Sequence, residues 1–247
     1  VMALVQHFRR QGLQAGVVSR GYDRQGKNCL EVLENTPISE SGDEPALILR
    51  AQAAPVFIAV KRMEAVNALL LKYPATQVIV SDDGLQHYGM ARDIEITVFD
   101  DRGIGNGWLL PAGDHALNAD AKQVALSSLK GLALTALAGI ANPEAFFAML
   151  KARGLQLQQT IALPDHFDFS VYAWPVSADA FVLCTEKDAI KLFQLPQFKG
   201  HNLLAVPLEF SPEPSFLAAL DALLAPLLAK ASELPSTHGH HNGHKTS

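Results

Sequence analysis

Short apolar runs, most of them rich in β-branched residues, alternate along this chain with segments of helical periodicity. No other feature of the sequence restricts the fold as strongly. An apolar run, a helix and a further apolar run form the repeating unit of a mostly parallel sheet with helices on both faces. The runs at 15–19, 55–60, 78–82 and 94–99 are predicted as strands of a first lobe, and those at 132–140, 158–163, 180–184 and 203–208 as strands of a second. Residues 30–33 are a further short candidate. Helices are predicted at 1–11, 46–52, 63–73, 143–153, 189–193 and 214–229. Met63, Val66, Leu70 and Tyr73 share one helical face, and Asn142 followed by Pro143 is a capped helix start. Residues 114–130 read as a polar connection with one short helical segment. The expectation is an α/β chain whose two lobes meet near 113–130, with domains 1–113 and 114–231 and a disordered tail over 232–247.

The densest chemistry lies in Val78-Ile79-Val80-Ser81-Asp82-Asp83-Gly84-Leu85-Gln86-His87-Tyr88. The apolar run reads as a buried central strand. In open α/β sheets ligands bind beyond the carboxyl ends of strands, and paired aspartates there suit Mg²⁺ beside a nucleotide phosphate. A solvated turn has the same composition, so the neighbouring strand ends decide. Arg20-Gly21 follows 15–19, a combination that suits either an anionic ligand or an ordinary turn. Asp100-Asp101 ends 94–99, and Gly103, Gly105 and Gly107 follow as a weak phosphate-loop signal with no helix directly after them. Asp43 precedes a helix and fits a cap as well as a catalytic role. Thr185-Glu186-Lys187-Asp188 also reads first as a cap. His166 and Lys187 stand at two more strand ends. A mixture of cations, carboxylates and a histidine on several strand ends points to a phosphate-and-metal site.

Composition removes other classes. The chain has 247 residues, 49% of them hydrophobic and 18% charged, enough for a full core. A net charge of −5 leaves no basic footprint, so nucleic acid is not an expected partner. Cys29 and Cys184 are too few and too far apart for a disulfide framework. No uninterrupted apolar run reaches the length of a bilayer span. The tail carries His238, His240, His241 and His244 and reads as disordered.

In chain order the motifs are Ser19-Arg20-Gly21-Tyr22, Gly42-Asp43-Glu44-Pro45, Ser81-Asp82-Asp83-Gly84-Leu85-Gln86-His87, Gly105-Asn106-Gly107-Trp108 with Leu110-Pro111-Ala112-Gly113, Ala138-Gly139-Ile140, Asp165-His166 and Thr185-Glu186-Lys187-Asp188. Together they resemble the tetraacyldisaccharide 4′-kinases, the lipid A 4′-kinases of Gram-negative bacteria, up to about residue 229. The resemblance implies a P-loop-NTPase-like fold with a second, smaller α/β lobe. It implies a peripheral enzyme of the cytoplasmic face of the inner membrane, moving the γ-phosphate of ATP to the 4′-hydroxyl of a tetraacylated disaccharide 1-phosphate lipid to give lipid IVA. Under it Asp43 is the catalytic aspartate and His166 its partner. Asp82 and Asp83 are Walker-B-like carboxylates near Mg²⁺. Arg20, Tyr22, Arg62, Gln86 and His87 line the nucleotide and substrate site.

Two departures accompany the resemblance. The family's Gly-rich Walker A loop has no counterpart in these residues, which open by register directly after it, so the membrane-docking N-terminal helix is expected to be missing too. The run after Pro111-Ala112-Gly113 continues as Asp114-His115-Ala116-Leu117 where the family has Pro-Leu-Arg-Glu, and the following stretch is shorter. Without the loop that cradles the β- and γ-phosphates, little or no kinase activity is expected of the chain as it stands. The competing readings are a non-catalytic remnant that binds Mg²⁺ or a lipid-linked sugar, and a haloacid-dehalogenase-like phosphatase. The latter needs Asp-x-Asp on its first strand, whereas the paired aspartates here are adjacent and well inside the chain.

Overall fold

A computed structural model of the chain describes residues 1–22, 24–52, 54–84, 89–98, 114–172, 177, 179–207 and 211–233. Gln86 and His87, the 103–107 glycine loop and the predicted tail from 234 onward lie outside the described residues. The chain divides into two compact units. One comprises Val1–Met90 and Thr97–Ser211 and holds two sheets. The other comprises Ala91–Ile96 and the chain from Pro212.

The first sheet is built from β1 (Ala15–Ser19), β2 (Leu30–Val32), β3 (Val56–Ile58) and β4 (Val78–Ser81), in the order β2-β3-β1-β4. β1 runs parallel to β3 and β4, and β2 pairs antiparallel to β3. Its helices are α1 (Met2–Arg10), α2 (Ile38–Ser41), α3 (Asp43–Gln52) and α4 (Arg62–Lys72). Val18 and Phe57 pack with Ala65, Val66 and Leu69 of α4. Val17, Val56 and Ile58 point the other way by the period-two alternation of a strand and are also fully buried, so both faces of this sheet are covered.

The second sheet has six strands in the order β6-β5-β10-β9-β7-β8. They are β5 (His115–Leu117), β6 (Gln123–Ala125), β7 (Leu134–Ala138), β8 (Leu157–Ala162), β9 (Phe181–Thr185) and β10 (Asn202–Val206). The last four are parallel. α5 (Pro143–Ala152) follows β7, and α6 (Glu186–Leu192) follows β9. Successive residues of β9 feed opposite cores. Leu183 joins Phe146, Phe147 and Leu150 of α5, while Val182 and Cys184 join Ala189 and Leu192 of α6 with Phe169 and Phe198.

Several expectations are corrected. β4 is not a central strand but lies at the edge of its sheet among the described residues, and all of its residues are half-buried. Residues 94–98 form no strand. Asp93, Glu95 and Thr97 alternate there with Ile94 and Ile96, Arg92 pairs with Glu95 at 2.8 Å, and Val98 is 84% exposed. That alternation leaves one polar side, which does not suit a parallel sheet covered on both faces. Residues 114–130 hold a hairpin, β5 and β6, added antiparallel to β10, as well as the short helical turn. Its turn is held by the Asn118 side chain, which accepts from the backbone N–H groups of Asp120 and Lys122 at 3.1 and 2.8 Å. The strands are only three residues each, too short for periodicity to declare them.

In the other unit, α7 (Pro214–Glu233) reaches a mean hydropathy of 1.4. By length and composition it is long and apolar enough to cross a membrane. The rule of an uninterrupted apolar run passed it over because Asp221 and Lys230 interrupt it.

Candidate active site

Parallel pairing sets Val18 opposite Ser81, so β1 and β4 deliver their carboxyl ends to one edge. Beyond β4 the Asp82 N–H donates to the Val18 carbonyl at 2.9 Å, and the Ser19 hydroxyl donates to Asp82 Oδ2 at 3.4 Å. Asp83 takes a left-handed φ of 48° and is exposed, which turns the chain sharply at the strand end. Burial pushes the Asp82 carboxyl above its ordinary pKa, and the neighbouring Asp83 charge adds to this. Arg62, at the head of α4, is buried and donates to the Asp82 backbone carbonyl at 2.7 Å, while its Nε has no partner among the described residues. Arg20 is exposed directly after β1 and close enough for its charge to act on Arg62.

Asp43 approaches the same edge from α3. Gly42, at φ 82°, makes the break between α2 and α3, and a Cβ there would lie 2.9 Å from the Tyr22 carbonyl. The break sets Asp43 as the first residue of α3. Its carboxylate reaches across to the second sheet. His166 Nδ1 lies 3.1 Å from Asp43 Oδ2, joining residues 123 positions apart. Lys191 Nζ donates to the same oxygen at 3.4 Å. The Tyr22 ring packs against the His166 ring at 5.6 Å between centroids. Lys187 Nζ reaches His166 Nε2 at 3.2 Å, Asp165 Oδ1 at 3.0 Å and Glu44 Oε1 at 3.8 Å. Glu44 ties the two groups together. Burial raises its pKa, the Lys187 ammonium lowers it and the Asp82 charge raises it further, so Lys187 and Asp82 both act on this one carboxyl.

A buried base paired with a histidine, beside cations and a separate carboxylate pair, is equipped to take a hydroxyl proton next to a phosphate. A family model described as tetraacyldisaccharide-1-P 4′-kinase matches residues 1–115 and 114–225. The tetraacyldisaccharide 4′-kinase of Polaromonas sp. (strain JS666) is 57% identical over an alignment covering 97% of this chain and 81% of that protein. The chain belongs to the tetraacyldisaccharide 4′-kinase family. Its namesake in Acidovorax sp. (strain JS42) is 44% identical, covering 92% of this chain and 76% of that protein. A crystal structure of LpxK from Aquifex aeolicus, described as an apo form in complex with ATP, superposes with a TM-score of 0.72 at 21% identity, covering 92% of this chain and 83% of that one. That likeness shows the fold.

Within this 4′-kinase-family chain, Thr185-Glu186-Lys187-Asp188 does two jobs. Thr185 Oγ1 caps α6 by accepting the Asp188 N–H at 3.2 Å, and donates to Asp188 Oδ2 at 2.7 Å. Asp188 is fully buried and also accepts the Gly139 N–H at 3.0 Å, tying α6 to the end of β7. Burial raises its carboxyl pKa against those two hydrogen bonds. A Cβ on Gly139 would meet Asp188 Oδ1 at 2.8 Å and the Pro164 carbonyl at 3.3 Å. Gly139→Ala should therefore destabilise the chain by about 1–3 kcal/mol. A lower urea midpoint at unchanged slope is the expected reading, and an unchanged midpoint would show that the contact relaxes freely.

Of the predicted site residues, Asp43, His166 and Tyr22 converge, as do Asp82 and Arg62. Asp83 and Arg20 stand beside the latter pair, and Gln86 and His87 fall outside the described residues. Glu44, Asp165 and Lys191 had no predicted role. Lys191 had a signal in the sequence, since it lies one helical turn beyond Lys187 and shares its face.

Proposed function

We propose that the Asp43–His166 pair is the proton-accepting centre of an ATP-dependent lipid A 4′-kinase reaction. The 4′-oxygen of tetraacyldisaccharide 1-phosphate forms a bond to the γ-phosphorus of ATP as the bond from that phosphorus to the β,γ-bridging oxygen breaks. ADP leaves with the electron pair, and the hydroxyl proton passes to Asp43. His166 orients the carboxylate and shares the charge of that proton. The observation that carries this reading is the 3.1 Å contact between His166 Nδ1 and Asp43 Oδ2, made across two sheets in a chain of this family.

Mg²⁺ belongs to the proposal. The donors at hand are hard oxygens, the Asp82 and Asp83 carboxylates and the Ser19 hydroxyl, and burial together with the Asp83 charge raises the Asp82 pKa, so that a bound cation would stabilise its ionised form. When bound, the ion would neutralise charge building on the phosphoryl oxygens. Arg62 holds the backbone of the Asp82 turn, and Arg20 and Tyr22 line the approach. Gln86 and His87 are assigned to the same rim by the family motif. A membrane surface as partner, at the cytoplasmic face of the inner membrane, is supported by the acylated substrate that names the family and by the apolar α7.

The test is transfer of label from γ-labelled ATP to tetraacyldisaccharide 1-phosphate in detergent micelles with Mg²⁺, using the protein as its gene encodes it. A labelled 1,4′-bisphosphate lipid is the expected product. ATP binding with no transfer to the lipid would overturn the proposal in favour of a non-catalytic remnant.

A further inference from the structure

Lys187 occupies a position that helix stability does not explain. It is the second residue of α6, where an ammonium opposes the helix dipole, and its side chain is only 17% exposed. It is held there by partners from other elements. Asp165 Oδ1 accepts from it at 3.0 Å, and the same oxygen accepts the His166 N–H at 2.9 Å, fixing His166 at a left-handed φ of 58°. The remaining close partner is the His166 ring itself, with Nε2 at 3.2 Å.

That contact determines where the imidazole proton sits. An ammonium only donates, so Nε2 must be the acceptor, and a neutral imidazole with Nε2 accepting carries its proton on Nδ1. The competing acceptor for a proton on Nε2 would be Asp165 Oδ2, which at 3.9 Å is beyond hydrogen-bond reach. With the proton on Nδ1, the ring donates to Asp43 Oδ2. Lys191 donates to the same oxygen, itself fixed by the Phe167 carbonyl at 3.1 Å and lying over the Phe169 ring. Both donors converge on Oδ2, and among the described residues Oδ1 is the oxygen left to meet a hydroxyl.

We propose that Lys187 is a positioning residue that locks His166 in its Nδ1–H tautomer and so makes Asp43 Oδ1 the proton acceptor. This rests on the reading of Asp43 as the base. The tautomer itself is measurable without any turnover, so failure of one idea is separable from failure of the other.

The test is imidazole ¹H–¹⁵N correlation on the ¹⁵N-labelled 247-residue chain, with His166 assigned by loss of its signals in His166→Ala. The wild-type ring should show the neutral Nδ1–H pattern. Lys187→Met should shift it to a mixture or to the Nε2–H form, and Lys187→Arg, which keeps a donor, should retain the wild-type pattern. In the protein as its gene encodes it, Lys187→Met should lower kcat roughly ten- to hundredfold with little change in KM for ATP, Lys187→Arg recovering most of it. An Nε2–H ring in the wild type, or an unchanged tautomer in Lys187→Met, would overturn the proposal. Loss of kcat on Asp43→Ala with no tautomer change in Lys187→Met would leave Asp43 as base and remove Lys187 from the mechanism.

Discussion

Asp43→Ala and His166→Ala, made in the protein as its gene encodes it, should each lower kcat by roughly 10²–10⁴-fold, and the double variant should be little worse than the worse single one. Asp43 heads α3 in the first sheet, and His166 follows β8 in the second. Their 3.1 Å contact makes one functional group of residues that share no local structure. Removing the base leaves the histidine nothing to orient. Removing the histidine leaves Asp43 Oδ2 with Lys191 alone at 3.4 Å, so the carboxylate loses its fixed direction. Each loss therefore contains most of the other. The alternative role of Asp43, a cap on its own helix, makes a different prediction. A lost cap costs about 1 kcal/mol of stability and leaves turnover alone. Thermal unfolding of both variants beside their kinetics separates the two, and fully additive losses in kcat would end the dyad assignment.

The distance between what the sequence shows and what it withholds has a physical cause at each place. Strands 15–19 and 134–138 announce themselves because each is an apolar run buried on both faces, and 78–81, half-buried throughout, because its run is β-branched. The hairpin at 115–125 does not, because three-residue strands carry too little periodicity and depend on Asn118 for their turn. The edge position of β4 was unreadable for another reason. Val78, Ile79 and Val80 have the apolar, β-branched composition of a central strand, and only the pairing partners reveal the edge. At the site, the aspartate pair was legible because it ends a strand. Glu44 and Asp165 were not, because each gains its role from a residue on another element, and Lys191 offered only its helical register with Lys187. Lys187 was half-legible, since its motif reads as a cap, and Thr185 does cap α6 while Lys187 turns to the histidine.

Asp82→Asn should lower kcat by roughly a thousandfold or more while leaving the metal-free chain as stable as the wild type, or more stable. The carboxyl of Asp82 is raised by burial first and by Asp83 second, so at neutral pH its charge is held at a cost. A carboxyl whose folded pKa lies above its unfolded value contributes stability that is fully present below the unfolded pKa and lost as pH rises through the folded one. Wild-type stability without Mg²⁺ should therefore fall as pH climbs from the ordinary carboxylate range to the raised pKa. Asp82→Asn should flatten part of that slope, and Asp188 and Glu44, raised in the same direction, account for a remainder. Mg²⁺ should reverse the order. A ligand present at a hundred times its Kd stabilises by about 2.7 kcal/mol. The wild type should show a gain of that kind, and the asparagine variant, with one carboxylate fewer, little of it. Thermal melts of both proteins across pH 4–9, with and without Mg²⁺, read all of these effects in one experiment. If Mg²⁺ stabilises Asp82→Asn as much as the wild type, Asp82 does not hold the ion, and the raised carboxyl serves only the turn that Arg62 fastens through its backbone.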